Sequence, residues 1–461
     1  MRAGQYHQEI DAQMTTAPMQ NLTRVQDAPG AAPLSATAPM PDIALAVRLF
    51  DELRVRTGGG RPERGITRAS YGLGEQIAHE MVQREARRLG MSCEIDAGCN
   101  LYMTLKGQQE GPAVMVGSHL DSVPSGGNFD GAAGVLVGLT VASGFVKAGL
   151  RPARDLVVVA IRAEESTWFG ASYIGSRAAF GALRGEELDS VRRAGDGIPL
   201  GAAIASAGGD TDRLRAGQGY LDPTMIAAFV EPHIEQGPVL AEEGRALGLV
   251  TGIRGSFRHR QAWCEGSYSH SGATPRSHRQ DAVLATARLV VALDEAWKRL
   301  AAAGRDLAVT FGQIGTDRDQ AAFSKVAGRV DFSVDIRSEE PDTLDLMRGE
   351  LARAVAEVEA DCDVHFHLGP ETSSQPARMD RGLIAQFARI AAAQEIDARP
   401  MACGAGHDAA VFAQHGVATA MLFIRNRNGS HNPFEAMEIE DFAEAARLLS
   451  VFCAEGPETN R

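Results

Sequence analysis

From Asp42 onward the chain alternates between two rhythms. Apolar residues at helical spacing in ALAVRLFDELRVRTG, and again in LGEQIAHEMVQREARRL (Leu73 to Leu89), predict two amphipathic helices, the second ended by Gly90. Two short strands, SCEIDA and NLYMTLKG, come next, followed by a buried strand from Ala113 to Gly117. An Ala- and Gly-rich helix is expected between Asp130 and Leu150, opened by Asp130, and DLVVVAIRA (Asp155 to Ala163) is the clearest buried strand of the chain. Strands alternating with helices in this way predict an α/β fold with a mixed, mostly parallel central sheet. Functional groups in such sheets gather at the carboxyl ends of the strands.

Between Gly252 and Gly369 the order changes. Strand-like FRHRQAWCEG, a long helix (Ala282 to Ala303), strands DLAVTFGQIGT and VAGRVDFSVDIR, the helix LDLMRGELARAVAEVEA and the strand CDVHFHL read as βαββαβ. That order predicts an inserted ferredoxin-like α+β unit, and TGIRG and LGPETSSQPARMD have the Gly, Pro and Ser content of hinges. The expected organisation is an N-terminal extension over residues 1–41, a main domain in two parts over 42–251 and 370–461, and the inserted domain over 252–369.

Composition narrows the partners. The first 41 residues are rich in Ala, Pro, Thr, Gln and Met without periodicity, which predicts a disordered extension, and they carry neither a signal-peptide core nor an Arg-rich transit pattern. A net charge of −13 without any Lys/Arg block argues against nucleic acid. No apolar run approaches the ~20 residues that span a bilayer, so no membrane partner is expected. The six cysteines (93, 99, 264, 362, 403 and 453) show no CxxC spacing, which fits reduced thiols in the cytoplasm.

The chemistry concentrates at predicted strand ends. VGSHLDSVPSGGNFDGAAG places His119 and Asp121 where a strand stops, and Gly126, Gly127 and Gly131 let the backbone turn about Asp130. A His with a carboxylate two residues on suits a metal ligand and the group that fixes its tautomer. Taken alone, the stretch reads equally well as a helix cap beside an ordinary histidine. Four further groups change that balance. Glu164 and Glu165 follow DLVVVAIRA; Glu231, His233, Glu235 and Gln236 lie at the end of MIAAFVEPHIEQ; His407 and Asp408 sit in GAGHDAAVF; His431 follows TAMLFI. Strand ends so uniformly bearing His, Asp and Glu can supply a dinuclear site with mixed nitrogen and oxygen ligands and one bridging carboxylate, of the kind that suits zinc or manganese. A Ser nucleophile lacks its GxSxG elbow, and Cys403 reads as a small apolar residue.

HLDSVPSGGNFDG, AEES followed by GSR, HIEQGPVL, GATP with R-x-D, DIR, GAGHDA and GSHNP together resemble the dizinc amidohydrolases that include N-carbamoyl-L-amino acid hydrolase, β-ureidopropionase and allantoate amidohydrolase, in the aminoacylase and carboxypeptidase G clan. The resemblance runs from about Ile43 to Leu449. It implies a metallopeptidase-like catalytic domain, with the inserted unit serving as lid and dimer interface of a homodimer. It implies two divalent ions per subunit: zinc is expected, with manganese or cobalt as alternatives. His119 and His233 would hold one metal, Glu165 and His431 the other, and Asp130 would bridge them. By the same match Asp121 orients His119, and Glu164 is the general base acting on the metal-bridging water. His270 reaches the partner's site to steady an oxyanion, Arg337 grips the substrate carboxylate, and Gln236, Gly406 and His407 line the substrate pocket.

Two departures bear on substrate. Ser324 stands where the family usually has an Asn that helps hold the carboxylate, and Trp168 stands where it usually has Arg. The expected activity is hydrolysis of the C–N bond of an N-carbamoyl (ureido) amino acid or a similar small carboxylate-bearing amide. An N-acyl-amino-acid hydrolase or dipeptidase of the same clan is the alternative, and a non-catalytic binding protein of the same fold is the alternative of another class.

Overall fold

The computed structural model describes residues 38–58 and 62–458. Most of the expected N-terminal extension, residues 1–37, lies outside them. Its last stretch is laid against the core: the Pro39 carbonyl accepts a 2.6 Å bond from Ser450 Oγ, and Asp42 caps the first helix, Ile43–Thr57.

In chain order the strands are β1 (Ser92–Ile95), β2 (Leu101–Leu105), β3 (Gln109–His119), β4 (Arg154–Ile161), β5 (Ile226–Ile234) and β6 (Leu247–Ile253). After Arg254 come β7 (Gly255–Glu265), β8 (Ser269–His270), β9 (Ala308–Thr316), β10 (Lys325–Val326), β11 (Arg329–Ser338), β12 (His365–His367) and β13 (Glu371–Ser374). The chain then returns with β14 (Ala377–Arg378), β15 (Ala398–Cys403) and β16 (Thr419–Ile424).

The central sheet runs β1-β2-β4-β3-β5-β16-β6-β14, with β15 also on β6. Its middle, β4-β3-β5-β16, is parallel, and antiparallel pairs flank it. The sequence explains the middle: β5 is buried at all but one position and β16 throughout, as parallel strands covered on both faces must be. The covering helix Ala132–Ala148 is buried nearly all round, because it is sandwiched between β3 and β5 on one side and the helices Ile43–Thr57 and Ile439–Glu455 on the other. Truncating the fully buried Leu136 in its second turn to Ala would cost about 2–5 kcal/mol. This helix begins at Ala132 with Gly131 as its cap residue, so Asp130 does not open it and its carboxylate is free for other work.

The second sheet has the order β12-β7-β11-β9, all neighbours antiparallel, with β13 on β7. That is the ferredoxin-like order expected from βαββαβ. Helices Ala282–Ala302 and Pro341–Cys362 pack on one face through Leu289, Leu293 and Met347 against Phe257, Phe332 and Ile336. β8 and β10 form a separate two-stranded ribbon. Among the described residues no helix is long and apolar enough to cross a membrane.

Candidate metal centre

The parallel strands deliver their ends to one place. His119 closes β3, His233 lies next to the end of β5, Glu164 and Glu165 follow β4, and His431 follows β16. Two groups of ligand atoms form there, His119–Asp130–His233 and Asp130–Glu165–His431, each within 4.8 Å of one another. Asp130 belongs to both. Its Oδ1 lies 3.2 Å from His233 Nε2 and 3.8 Å from His119 Nε2; its Oδ2 lies 3.4 Å from His431 Nε2, which is 3.6 Å from Glu165 Oε1. Glu164 Oε2 stands 3.9 Å from His119 Nε2.

The surroundings aim these atoms. Asp121 faces His119 Nδ1, with Oδ1 at 3.3 Å and its carbonyl at 3.1 Å. Its two carboxylate oxygens also accept the backbone N–H groups of Glu164 and Glu165, each at 3.2 Å, and the Ser70 hydroxyl at 2.5 Å. His233 Nδ1 is engaged by the Ile234 carbonyl at 2.9 Å. Both rings therefore turn Nε2 toward the cluster, and those two nitrogens are 3.5 Å apart. Gly131, at φ +65°, makes this approach feasible: a Cβ there would lie 2.5 Å from the His119 ring.

Two buried carboxylates that the motifs did not reveal hold the loops. Glu75 accepts from the Tyr71 N–H at 2.6 Å, the Ala163 N–H at 2.9 Å and Arg162 Nη1 at 2.9 Å. It thereby fixes Ala163 at φ +52°, immediately before Glu164. Glu435 accepts from the Phe129 and Asp130 N–H groups at 2.9 and 3.2 Å and from Ser430 Oγ at 2.6 Å, joining the Asp130 loop to the His431 loop. Glu75 sits at a helix position with no local motif. Glu435 did have a signal, as the acid closing GSHNPFE.

The electrostatics fit a cation pair. Asp130 Oδ1 is buried without a hydrogen-bond partner among the described residues. Burial, then the Asp130 carboxylate, push Glu165 up to about 7; burial, with Glu165 and Asp408, holds Glu164 well above the ordinary carboxylate range. Burial alone would lower His119, but Asp121, Glu164 and Asp130 outweigh it and drive its pKa well up. Nitrogen and carboxylate donors in this arrangement suit zinc or manganese.

The substrate-side residues are less gathered. Gln236, at φ +63°, donates from Nε2 to Asp130 Oδ2 at 3.0 Å. His407 is buried edge-on to His233, centroids 4.4 Å apart. Arg337, from β11, donates to the Gly404 carbonyl at 2.8 Å and pairs with Asp335 at 2.8 Å. His270 ends β8 and Ser324 immediately precedes β10, and the Ser271 N–H donates to the Ser324 carbonyl at 3.0 Å. No hydrogen bond or ion pair joins them to the cluster among the described residues. Trp168 fills space: its Nε1 donates to the Ser122 carbonyl at 2.8 Å and its ring packs with Phe169 and Ile174. Cys403 is buried, and burial pushes its thiol up to about 12, so it is no nucleophile.

Two ligand groups sharing one carboxylate, at the strand ends of a parallel sheet, define a metallohydrolase architecture. The chain belongs to peptidase family M20/M25/M40, whose description matches residues 115–455. It is 33% identical over 400 residues to an N-carbamoyl-L-amino acid amidohydrolase of Geobacillus stearothermophilus, covering 85% of this chain and 93% of that protein. It is 30% identical over 396 residues to an allantoate amidohydrolase of Escherichia coli, again covering 85% and 93%. The crystal structure of an amidase of the hydantoinase/carbamoylase family from Burkholderia multivorans superposes with a TM-score of 0.81 at 26% identity, over 92% of this chain and 100% of that one. The resemblance read from the motifs is borne out.

Proposed function

We propose that this protein is a dinuclear metal amidohydrolase, cleaving the C–N bond of an N-carbamoyl amino acid or a similar small carboxylate-bearing amide, and acting as a cytoplasmic homodimer. The observation that carries the reading is the division of Asp130, with Oδ1 facing His119 and His233 and Oδ2 facing His431, Glu165's neighbour. Divalent ions held by His119, His233, Asp130, Glu165 and His431 would supply polarisation of an amide carbonyl and a water whose pKa is lowered from about 15.7 toward about 7.

The chain's own groups do the rest. Glu164 takes a proton from the attacking water on its carboxylate and returns it to the leaving nitrogen, a shuttle that typically contributes about 10²- to 10⁴-fold. Its buried, anion-flanked position supports this, because such a carboxylate holds a proton readily. Asp121 keeps His119 in the tautomer that presents Nε2. Arg337 offers its fork to a substrate carboxylate, exchanging Asp335 for it.

The hydrogen bonds of His270 support an oxyanion-donor role. Its Nδ1 accepts the N–H groups of Gly272 and Ala273, both at 3.1 Å, which leaves the proton on Nε2. Its place on the ribbon supports delivery to a second copy's cluster. β9 is an edge strand with Ile314 exposed, and the adjoining helix exposes Val283, Leu284 and Val291, an edge that pairing with a second copy would cover. All six cysteines are free, in keeping with a reducing compartment.

Elemental analysis combined with a product assay on ureido, N-acyl and dipeptide compounds tests the proposal. Two metals per chain, with ammonia released from ureido compounds, is the expected result. Free amine from acyl or peptide compounds alone would move the assignment to an acylase or dipeptidase, and no metal and no turnover would overturn it.

A further inference from the structure

Tyr173 is held in an unusual backbone state beside the cluster. It lies at φ +57°, a left-handed conformation rare for a bulky residue. Its N–H donates to the Glu164 carbonyl at 3.3 Å, and its own carbonyl accepts the Arg177 N–H at 2.9 Å and Ser176 Oγ at 3.3 Å. Strain of this kind persists where the surroundings over-determine it, and it clusters at working sites. The phenol tip then rests on Gly406: a Cβ at that position would lie 1.6 Å from Tyr173 Oη. Only glycine admits the ring there.

Tyr173 is half-buried, and the other tyrosines of the site's surroundings give their hydroxyls an acceptor. Tyr71 donates to the Gly98 carbonyl, Tyr102 to Asp96 and Tyr220 to Glu94. Tyr173 donates to no protein atom among the described residues. Burial, reinforced by the Glu164 and Asp408 carboxylates, pushes its pKa far up, so the hydroxyl remains a donor.

What lies near it is short of negative charge on the lid side. Arg258 on β7 and Arg337 on β11 both pair with the single carboxylate of Asp335, at 3.1 and 2.8 Å. Arg337 also reaches the Gly404 carbonyl, two residues from Gly406. Two guanidinium groups sharing one carboxylate leave a surplus positive charge facing the loop on which the phenol rests.

We infer that Tyr173 is a substrate-binding residue whose hydroxyl, set against Gly406, donates a hydrogen bond to the substrate's carboxylate alongside the Arg258–Arg337 pair. The inference rests on the amidohydrolase reading and adds to it a donor that selects for an acid. It also answers the shorter reach of Ser324, since a hydroxyl is supplied to the same kind of group from the catalytic side.

The test compares the metal-loaded protein with its Tyr173→Phe variant on an N-carbamoyl amino acid and on the same compound with its carboxylate converted to an amide. Loss of a hydrogen bond to a charged group predicts a fall of about tenfold or more in kcat/KM on the acid, carried by KM, with less than about a twofold change on the amide and with metal content and Tm unchanged. An unchanged KM on the acid, or equal losses on both compounds, overturns the inference. Calorimetric binding of the same acid to the metal-loaded Glu164→Gln protein, with and without Tyr173→Phe, separates the two readings. If the unaltered protein hydrolyses nothing but Tyr173→Phe still weakens binding about tenfold, the amidohydrolase reading falls and the inference stands. Equal binding with and without the substitution sinks the inference whatever the activity.

Discussion

Glu435 offers the sharpest test of how the cluster is assembled. Its carboxylate is buried and receives two backbone N–H groups, from Phe129 and Asp130, together with the Ser430 hydroxyl. Glu435→Ala leaves both N–H groups without an acceptor inside the protein. Hydrogen bonds to a charged acceptor contribute about 1.5–3 kcal/mol each, so the two together amount to about 3–6 kcal/mol. One effect works the other way. Burial and the nearby Asp130 carboxylate raise the pKa of Glu435, so removing its charge also relieves repulsion, and the lower half of that range is expected. Glu435→Gln separates the two contributions: it retains an acceptor for the N–H pair while discharging the site, and should cost within about 1 kcal/mol. The assay is thermal unfolding with and without chelator, alongside metal content by elemental analysis. Glu435→Ala should lower Tm in both conditions and weaken metal retention, because the Phe129 and Asp130 N–H groups lose their acceptor and the direct 2.6 Å bond from Ser430 Oγ to Asp130 Oδ2 is left as the side-chain link between the two loops. Wild-type metal content and Tm in Glu435→Ala, or equal damage from Gln and Ala, would refute this account.

Three other outcomes follow from the same structure. Glu164→Gln should retain both metals and lose about 10²- to 10⁴-fold in turnover, whereas His233→Ala should lose metal; turnover assays and elemental analysis distinguish them. Gly131→Ala forces a Cβ to within 2.5 Å of the His119 ring at a positive φ, and should cost about 1–3 kcal/mol in unfolding free energy along with metal affinity. His79 is buried with both ring nitrogens unpartnered among the described residues, and burial, aided by Arg162, holds its pKa well below the ordinary value. The folded state therefore resists its protonation. Its stabilising contribution is complete above the unfolded pKa of about 6.5 and is lost as pH falls below it, by about 1.4 kcal/mol per pH unit. Unfolding curves at pH 7.5 and 5.5 should diverge less for His79→Met than for the unaltered chain, and equal divergence would show that His79 does not contribute.

Legibility in the sequence followed the range of the signal. The strands β3, β4, β5 and β16 were readable because a parallel strand buried on both faces is an apolar run, and the groups just past such runs lie at one edge of the sheet. His119, Glu165, His233 and His431 were accessible in that way. For Asp130 the local pattern was ambiguous, since an acid before a helical run has the pattern of a cap; the motif resemblance set it between the two ligand groups, and the structure makes Gly131 the cap residue instead. Glu75 could not be read. It occupies a polar position in an amphipathic helix, and its burial depends on Arg162 and Ala163, almost ninety positions away. Tyr173 and Gly406 are separated more widely still, and their fit is a matter of shape. The two-residue strands β8 and β10 are too short to carry a periodicity, yet they pair His270 with Lys325, the residue after Ser324.

The several bonds made by Asp121 have a consequence for how such a protein can change over generations. One side chain faces His119, holds the backbone of Glu164 and Glu165 and receives Ser70, so an altered residue there disturbs four positions at once. Variation at that point is all or nothing. Tyr173, Ser324 and Arg337 instead belong to separate elements and share no hydrogen bond with one another. A change at Asp121 thus spreads through the whole centre, whereas a change at any of those three stays local.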